Sequence, residues 1–161
     1  MANKTIIDNF LSHGDFEAMK MLFTDNPYFS WFYQNGKEYA NDDFFQFTHI
    51  FYSNHNPNSQ QYKELKPFLD KLQVNALIRI KANLTGRENS IRLGEFHTDS
   101  LFKCNTAIWY LNTNNGKTVF EDGDEVESVE NRMVIFPSKE KHTATTHTDT
   151  KTRIVINFNY L

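Results

Sequence analysis

A single cysteine, Cys104, stands among the 161 residues. No disulfide can close within the chain, and a reducing, cytoplasmic compartment is the expectation. No run approaches the roughly 18 consecutive apolar residues of a membrane-spanning helix, so no membrane partner is expected. The start, Met1-Ala2-Asn3-Lys4-Thr5, reaches Asp8 before any long apolar run, and this predicts no secretory signal. Basic charge is not in excess. The net charge is −3, without the global positive field that grips nucleic acid, although a local patch stays open. Tryptophan is scarce, with 2 residues, and no internal repeat is visible.

What the chain does have is phenylalanine and asparagine: 15 Phe, 7 Tyr and 18 Asn, with aromatics at 15%. Phenylalanine builds a core in place of larger aliphatics, and asparagine suits turns. An A/T-rich genome gives the same bias and is the plainer explanation. At 39% hydrophobic and 23% charged, the composition is that of a globular chain, neither disordered nor fibrous. The length suits one domain, 1–161, with one sizeable core.

Residues 1–72 read as a mainly helical support region. Asp15 to Phe23 carries apolar residues at helical spacing and stops before Asn26-Pro27. Asn41-Asp42-Asp43 is a candidate cap for a second helix through Phe44, Phe45, Phe47, Ile50 and Phe51. Ser53 to Ser59 is a loop by composition. Ser59 is a candidate cap for a third helix carrying Tyr62, Leu65, Phe68, Leu69 and Leu72, with Pro67 limiting or kinking it.

From residue 73 onward the period becomes two. Val74 to Ala82 predicts a strand with Ala76, Ile78 and Ile80 on one face. Further strands are expected at Ile91 to Phe96, Thr106 to Leu111, Thr118 to Phe120, Arg132 to Phe136 and Arg153 to Tyr160. Asn114-Asn115-Gly116 and Glu121-Asp122-Gly123-Asp124 mark turns. Many short strands with no long helix between them predict an antiparallel sandwich or jelly roll. The fold class is mainly β with N-terminal helices (α+β).

One constellation carries chemistry. In His97-Thr98-Asp99 the two ligand types sit at i and i+2, which share a face of a strand. Alone, His-x-Asp is common by chance. His142 and His147, in Lys141-His142-Thr143-Ala144-Thr145-Thr146-His147, each offer a third ligand. Two histidines and one carboxylate form the facial triad of non-haem Fe(II) oxygenases. Arg153 opens the last strand, with Arg153, Val155, Asn157 and Asn159 on one face. An arginine at a barrel edge can hold a carboxylate bidentately.

From about Val74 to Leu161 the sequence resembles the 2-oxoglutarate/Fe(II)-dependent dioxygenase superfamily, and within it the prolyl 4-hydroxylase-like branch of short bacterial and phage-type members. Phe96-His97-Thr98-Asp99 resembles the proximal metal motif. Tyr110-Leu111-Asn112 and Gly116-Lys117-Thr118-Val119-Phe120 resemble the branch's Tyr-Leu-Asn and Gly-Gly-x-Thr-x-Phe stretch. Arg132 to Ser138, then His142, resemble its strand, turn and distal histidine, and Arg153 falls at its cosubstrate anchor. Three departures stand out. Arg153 replaces the usual lysine, Asn115 the first glycine of the pair, and a residue near Asn83 the upstream tyrosine.

The resemblance implies a double-stranded β-helix (jelly-roll, cupin-like) core over 73–161, flanked by helices. It implies Fe(II) on His97, Asp99 and His142, with His147 the rival ligand or a solvent-side or outer-shell residue. It implies 2-oxoglutarate with its C5 carboxylate on Arg153 and Thr118, and ascorbate as a stimulant of turnover. Asn157 is a candidate to orient the C1 end or a ligand, and Asn83, Arg79 and Lys81 are candidates for the mouth. The implied reaction consumes O2, releases succinate and CO2, and hydroxylates an unactivated C–H bond. A peptidyl proline is the first substrate expectation and a free amino acid or other small molecule the second; a nucleobase is disfavoured by the acidic balance.

Plainer readings stand beside these. Asn83, Arg79, Lys81 and Asn157 are equally ordinary strand residues, and Arg153 could pair with the acidic stretch Glu121 to Glu130. Only one of Trp109 and Tyr110 can face the cavity. Cys104 reads as a small core residue, and His13, His49 and His55 carry no partner spacing. Residues 84–90 are polar, contain Gly86, and form a candidate lid. Two other classes remain: a non-catalytic metal-binding β-barrel, and a phage structural or interaction module docking through its Phe-rich half.

Overall fold

The computed structural model describes residues 3–37 and 43–161. The chain starts with strand β1 (Thr5–Ile7) and helix α1 (His13–Thr24). The Ser12 hydroxyl caps α1 by accepting from the Asp15 amide at 3.2 Å, which satisfies one of the donors a helix start leaves open. Phe16, Met19 and Phe23 form its buried stripe. Strands β2 (Phe32–Asn35), β3 (Phe45–Ser53) and β4 (Asn56–Pro57) follow. A 3-10 turn (Gln60–Leu65) runs into α2 (Lys66–Leu72), with Pro67 in the first turn, where its missing amide costs no bond.

The expected helix through Phe44 to Phe51 is instead strand β3. Asn41 and Asp42, its expected cap, lie outside the described residues. The run places Phe45 and Phe47 on one face and Gln46 and Thr48 on the other. Thr48 lies opposite Asn83 and Phe47 opposite Leu84 on the neighbouring strand. Aromatic and β-branched residues with apolar groups on both faces satisfy either period, and sheet pairing decides between them. Residues 1–72 are thus not mainly helical: they also supply four strands.

The remaining strands are β5 (Leu77–Gly86), β6 (Asn105–Tyr110), β7 (Lys117–Phe120), β8 (Glu125–Glu127), β9 (Arg132–Pro137), β10 (His142–Ala144) and β11 (Thr152–Tyr160). Strand β5 starts later than Val74 and runs on through residues 84–86, the front of the expected lid. The rest of that segment is also tied down: the Glu88 amide donates to the His147 carbonyl at 2.9 Å. The segment Ile91 to Phe96 is not a strand. It makes one isolated bridge, Leu93 to Thr145, and a second, His97 to His142, follows just after it.

All pairings are antiparallel. The large sheet has the order β1-β9-β6-β11-β5-β3-β2, with β4 on β3; the small one is β10-β7-β8. The architecture is a jelly-roll core with helices on one side. Alternation along the strands builds two apolar layers. Ala107, Trp109, Met133, Ile154, Ile156 and Phe158 face the helices and meet Phe10, Phe16 and Phe68. Ile108, Tyr110, Val134, Phe136 and Val155 face the small sheet and meet Phe120 and Val126. Each fully buried Phe of this kind contributes about 1.5–3 kcal/mol. Asn131 staples the N-terminal segment to the sheet. Its side-chain oxygen accepts from the Leu11 amide at 2.9 Å and the Trp109 indole at 3.1 Å. Among the described residues no helix is long and apolar enough to cross a membrane.

His49 has a structural place after all. It is buried between the Ser30 carbonyl (2.7 Å) and the Ser59 hydroxyl (2.8 Å), and stacks on Phe29. Burial pushes its pKa down, partly opposed by the Ser30 carbonyl. The folded state therefore refuses a proton that the unfolded chain accepts near pH 6.5. That stabilisation is complete above pH 6.5 and is lost as pH falls towards the folded pKa. Urea midpoints are expected to fall from pH 7 to pH 5.5, and His49→Gln is expected to flatten that slope.

Candidate active site

His97 and His142 are paired backbone to backbone. Each amide donates to the other's carbonyl at 3.0 Å. This reciprocal pair pins the segment after residue 91 to the first residue of β10 and sets the rings 4.6 Å apart. Asp99 follows two residues later. Its Oδ1 lies 3.6 Å from His97 Nε2 and 3.9 Å from His142 Nε2. One ligand atom from each residue falls within 4.8 Å of the others.

The rings are turned for metal binding. His142 Nδ1 is 3.0 Å from the Glu140 carbonyl and His97 Nδ1 is 3.4 Å from the Glu95 carbonyl. A carbonyl can only accept, so at His142 Nδ1 carries the proton and the Nε2 lone pair is left for a cation. Burial holds the His142 pKa down against the opposing charge of Asp99, which keeps the ring neutral. For Asp99, burial alone would raise the pKa. The His97 contact, the neighbouring His142 ring, the Asn159 amide and Arg79 together hold it well below the usual carboxylate range. Two imidazoles and an ionised carboxylate are the donor set that suits Fe(II).

Arg153 lies in the same cavity. It is buried, its Nε donates to the Ser128 hydroxyl at 2.9 Å, and its guanidinium lies 5.7 Å from the Tyr110 ring centre. Among the described residues it forms no ion pair, so the acidic stretch does not claim it. That stretch is partly strand β8, and its carboxylates pair elsewhere: Asp122 and Asp124 with Lys4, Glu125 with Lys117. Burial pulls the Arg153 pKa down, yet a guanidinium stays charged. Such a charge without a counter-ion calls for an anion.

Gly116 makes this position possible. A Cβ there would come within 3.0 Å of Arg153 Cδ. Asn115, in the place of a glycine, ties the turn to the next loop: its side chain bonds the Thr148 hydroxyl at 2.8 Å and amide at 2.9 Å. Tyr110, not Trp109, faces inward, with its hydroxyl 2.7 Å from that of Thr118.

The cavity measures about 560 Å³ and takes in His97, Asp99, His142, Arg153, Thr118, Asn83 and Asn157. Arg79 and Lys81 line it as expected, joined by Gln34, Lys37 and Gln46, which the sequence did not single out. Among the described residues, the Asn83, Asn157 and Thr143 side-chain oxygens are buried without a hydrogen-bond partner. His147 departs from one of the two places expected for it. It is wholly buried rather than solvent-side, lies outside the metal cluster, and neither ring nitrogen meets a partner at hydrogen-bond geometry. Cys104 is buried as expected.

No protein-family model matches the chain, and no curated protein does. Solved structures do. A prolyl hydroxylase from Trichoplax adhaerens, in complex with a hypoxia inducible factor peptide fragment, matches at a TM-score of 0.67 and 12% identity, over 99% of this chain and 83% of that one. A 2OG-Fe(II) oxygenase family oxidoreductase from Burkholderia pseudomallei matches at 0.66 and 10%, over 99% and 85%. A prolyl-4-hydroxylase from Pseudomonas putida matches at 0.61 and 14%, over 98% and 92%. The chain has the fold of the 2-oxoglutarate/Fe(II)-dependent dioxygenases, in the prolyl hydroxylase-like arrangement.

The geometry separates the rival third ligands. A divalent metal is expected to raise the melting temperature of the wild-type protein and of His147→Gln, since a ligand bound only to the native state stabilises it. Asp99→Ala and His142→Ala are expected to show no metal-dependent rise. A scan of each variant with and without Mn(II) is the check.

Proposed function

We propose that residues 1–161 form one Fe(II)- and 2-oxoglutarate-dependent dioxygenase domain. One observation carries this reading: the buried, unpaired Arg153 opens into the same cavity as His97, Asp99 and His142. A metal-binding barrel has no use for that arginine. A cosubstrate with a carboxylate at one end and a chelating group at the other requires both.

In this reading His97, Asp99 and His142 hold the iron. Arg153 takes the C5 carboxylate of 2-oxoglutarate in a charge-assisted pair. Tyr110 and Thr118 share one hydroxyl proton between them, which leaves the other to donate to the same carboxylate. Asn83 and Asn157 line the same cavity, and their side-chain amide N–H groups can donate to the C1 carboxylate. Together, iron and cosubstrate supply the oxidation: O2 converts 2-oxoglutarate to succinate and CO2 and hydroxylates an unactivated C–H bond. The chain contributes orientation, with the anchor Arg153 and the ligand His142 buried away from bulk water. The single reduced thiol is in keeping with a cytoplasmic protein.

A peptidyl proline is the substrate we favour, because two of the matching structures are prolyl hydroxylases. The polar wall of Gln34, Gln46, Arg79 and Lys81 favours as second reading a free amino acid or other small molecule.

Titrating 2-oxoglutarate into the anaerobic Fe(II) protein is expected to produce the weak visible charge-transfer band of the chelate. Arg153→Ala, and Gly116→Ala by crowding Arg153, are each expected to weaken cosubstrate affinity about tenfold or more, the scale of one lost charged hydrogen-bond pair. A band of unchanged affinity in both variants sinks the reading.

A further inference from the structure

The two oxygens of Asp99 live in different surroundings. Oδ1 faces the two histidine Nε2 atoms. Oδ2 accepts from the Thr106 hydroxyl at 3.0 Å and the Asn159 side-chain amide at 3.0 Å. Asn159 is held in turn: its carbonyl oxygen accepts from Arg79 Nε at 3.1 Å, which fixes which end of the amide points at Asp99. Arg79 comes no closer than 3.6 Å to Oδ1, outside hydrogen-bond range, so that oxygen keeps its lone pairs.

These three residues form one row across three strands. Asn159 of β11 lies opposite Thr106 of β6 on one side and Arg79 of β5 on the other. The proton directions in the row follow by elimination. The one hydroxyl proton of Thr106 goes to Asp99, so the Ser138 hydroxyl, 2.8 Å away, must donate to Thr106. Ser138 must then accept from the Cys104 thiol, at 3.0 Å. The Asn159 amide also donates to the Thr106 hydroxyl oxygen at 3.0 Å, and such buried chains polarise cooperatively.

We infer that the Thr106–Asn159–Arg79 row is a positioning device that closes Oδ2 of Asp99 and leaves Oδ1 alone for the metal. The inference rests on the dioxygenase reading and deepens it. A carboxylate free at both oxygens can grip a cation with both, and the second oxygen would occupy a position the cosubstrate chelate needs. The row thus keeps three ligands to three positions.

The test uses the full chain with Thr106→Val, Asn159→Leu and their combination, with Thr106→Ser as the conservative control. X-ray absorption of the iron-loaded proteins reports the oxygen neighbours of the metal, and the charge-transfer band reports 2-oxoglutarate affinity. The combined variant is expected to fold, bind iron, gain one carboxylate oxygen at the metal, and bind 2-oxoglutarate about 10- to 100-fold more weakly, the range for losing partners of a metal ligand. Thr106→Ser, which keeps the hydroxyl, is expected to restore the wild-type shell and band. Where the combination does not fold, the single variants are read the same way, with smaller shifts. An unchanged metal shell, or wild-type cosubstrate affinity in the combined variant, overturns the inference. Failure of the wild-type protein to form the band is a different result: it removes the dioxygenase reading, while X-ray absorption still decides the row's effect on Asp99.

Discussion

The large sheet must be covered on both faces. Helices close one side and the small sheet closes the other, so each central strand carries two different rows of side chains. Along β11 the outward row is Ile154, Ile156 and Phe158, all buried against the helix side. The inward row is Arg153, Val155, Asn157 and Asn159, and only Val155 belongs to the apolar layer. The sheet is therefore dry and apolar on its outer face and turns polar inside wherever the small sheet stops covering it. The cavity is that uncovered stretch. Its chemistry follows from the strand period: moving the register by one residue would bury Arg153 among the phenylalanines and turn Ile154 into the cavity.

Within this frame the site is assembled from parts far apart in sequence by a few short links. The His97–His142 backbone pair brings two ligands together. The Asn112 side chain, bonded to the Thr152 carbonyl at 2.8 Å and the Ile154 amide at 3.1 Å, holds the start of β11 and so the root of Arg153. The Asn114–Gly116 turn, fastened by Asn115 to Thr148, then closes over the arginine. The asparagine-rich composition finds structural use here, as side chains that tie one loop's backbone to another.

Much of this was legible in sequence. Strands β6, β9 and β11 alternate cleanly, because both their faces are assigned. His97, Asp99, His142 and Arg153 could be placed because local spacing and the order of motifs carry the signal. What was not legible depends on partners. Strand β3 looked helical because its aromatic run fits two periods until β5 and β2 pair with it. His147 lies outside the metal cluster, as the preference for His142 implies, but its complete burial depends on the loops that fold over it. Thr106 and Asn159 read as ordinary strand residues; only the register of three strands sets them beneath Asp99.

Three buried charges show how structure and function divide in this molecule. Lys4, at the start of the sheet, has its ammonium within 2.5 Å of Asp122, 3.0 Å of Asp124 and 3.2 Å of Glu140. Burial alone would pull its pKa down, and these carboxylates hold it above the usual value instead. That charge is saturated and serves to fasten the N-terminus to the hairpin turn and to Glu140. Asp99 is saturated at one oxygen and open at the other. Arg153 has a hydroxyl and an aromatic face but no counter-ion. Taking a charge out of water is costly unless something replaces the water. For Lys4 the fold supplies the replacement; for Asp99 and Arg153 it supplies only half. Both unfinished charges face one cavity and have opposite signs, one suited to a cation and the other to an anion. A molecule that bridges them, chelating a metal at one end and ending in a carboxylate at the other, completes both at once.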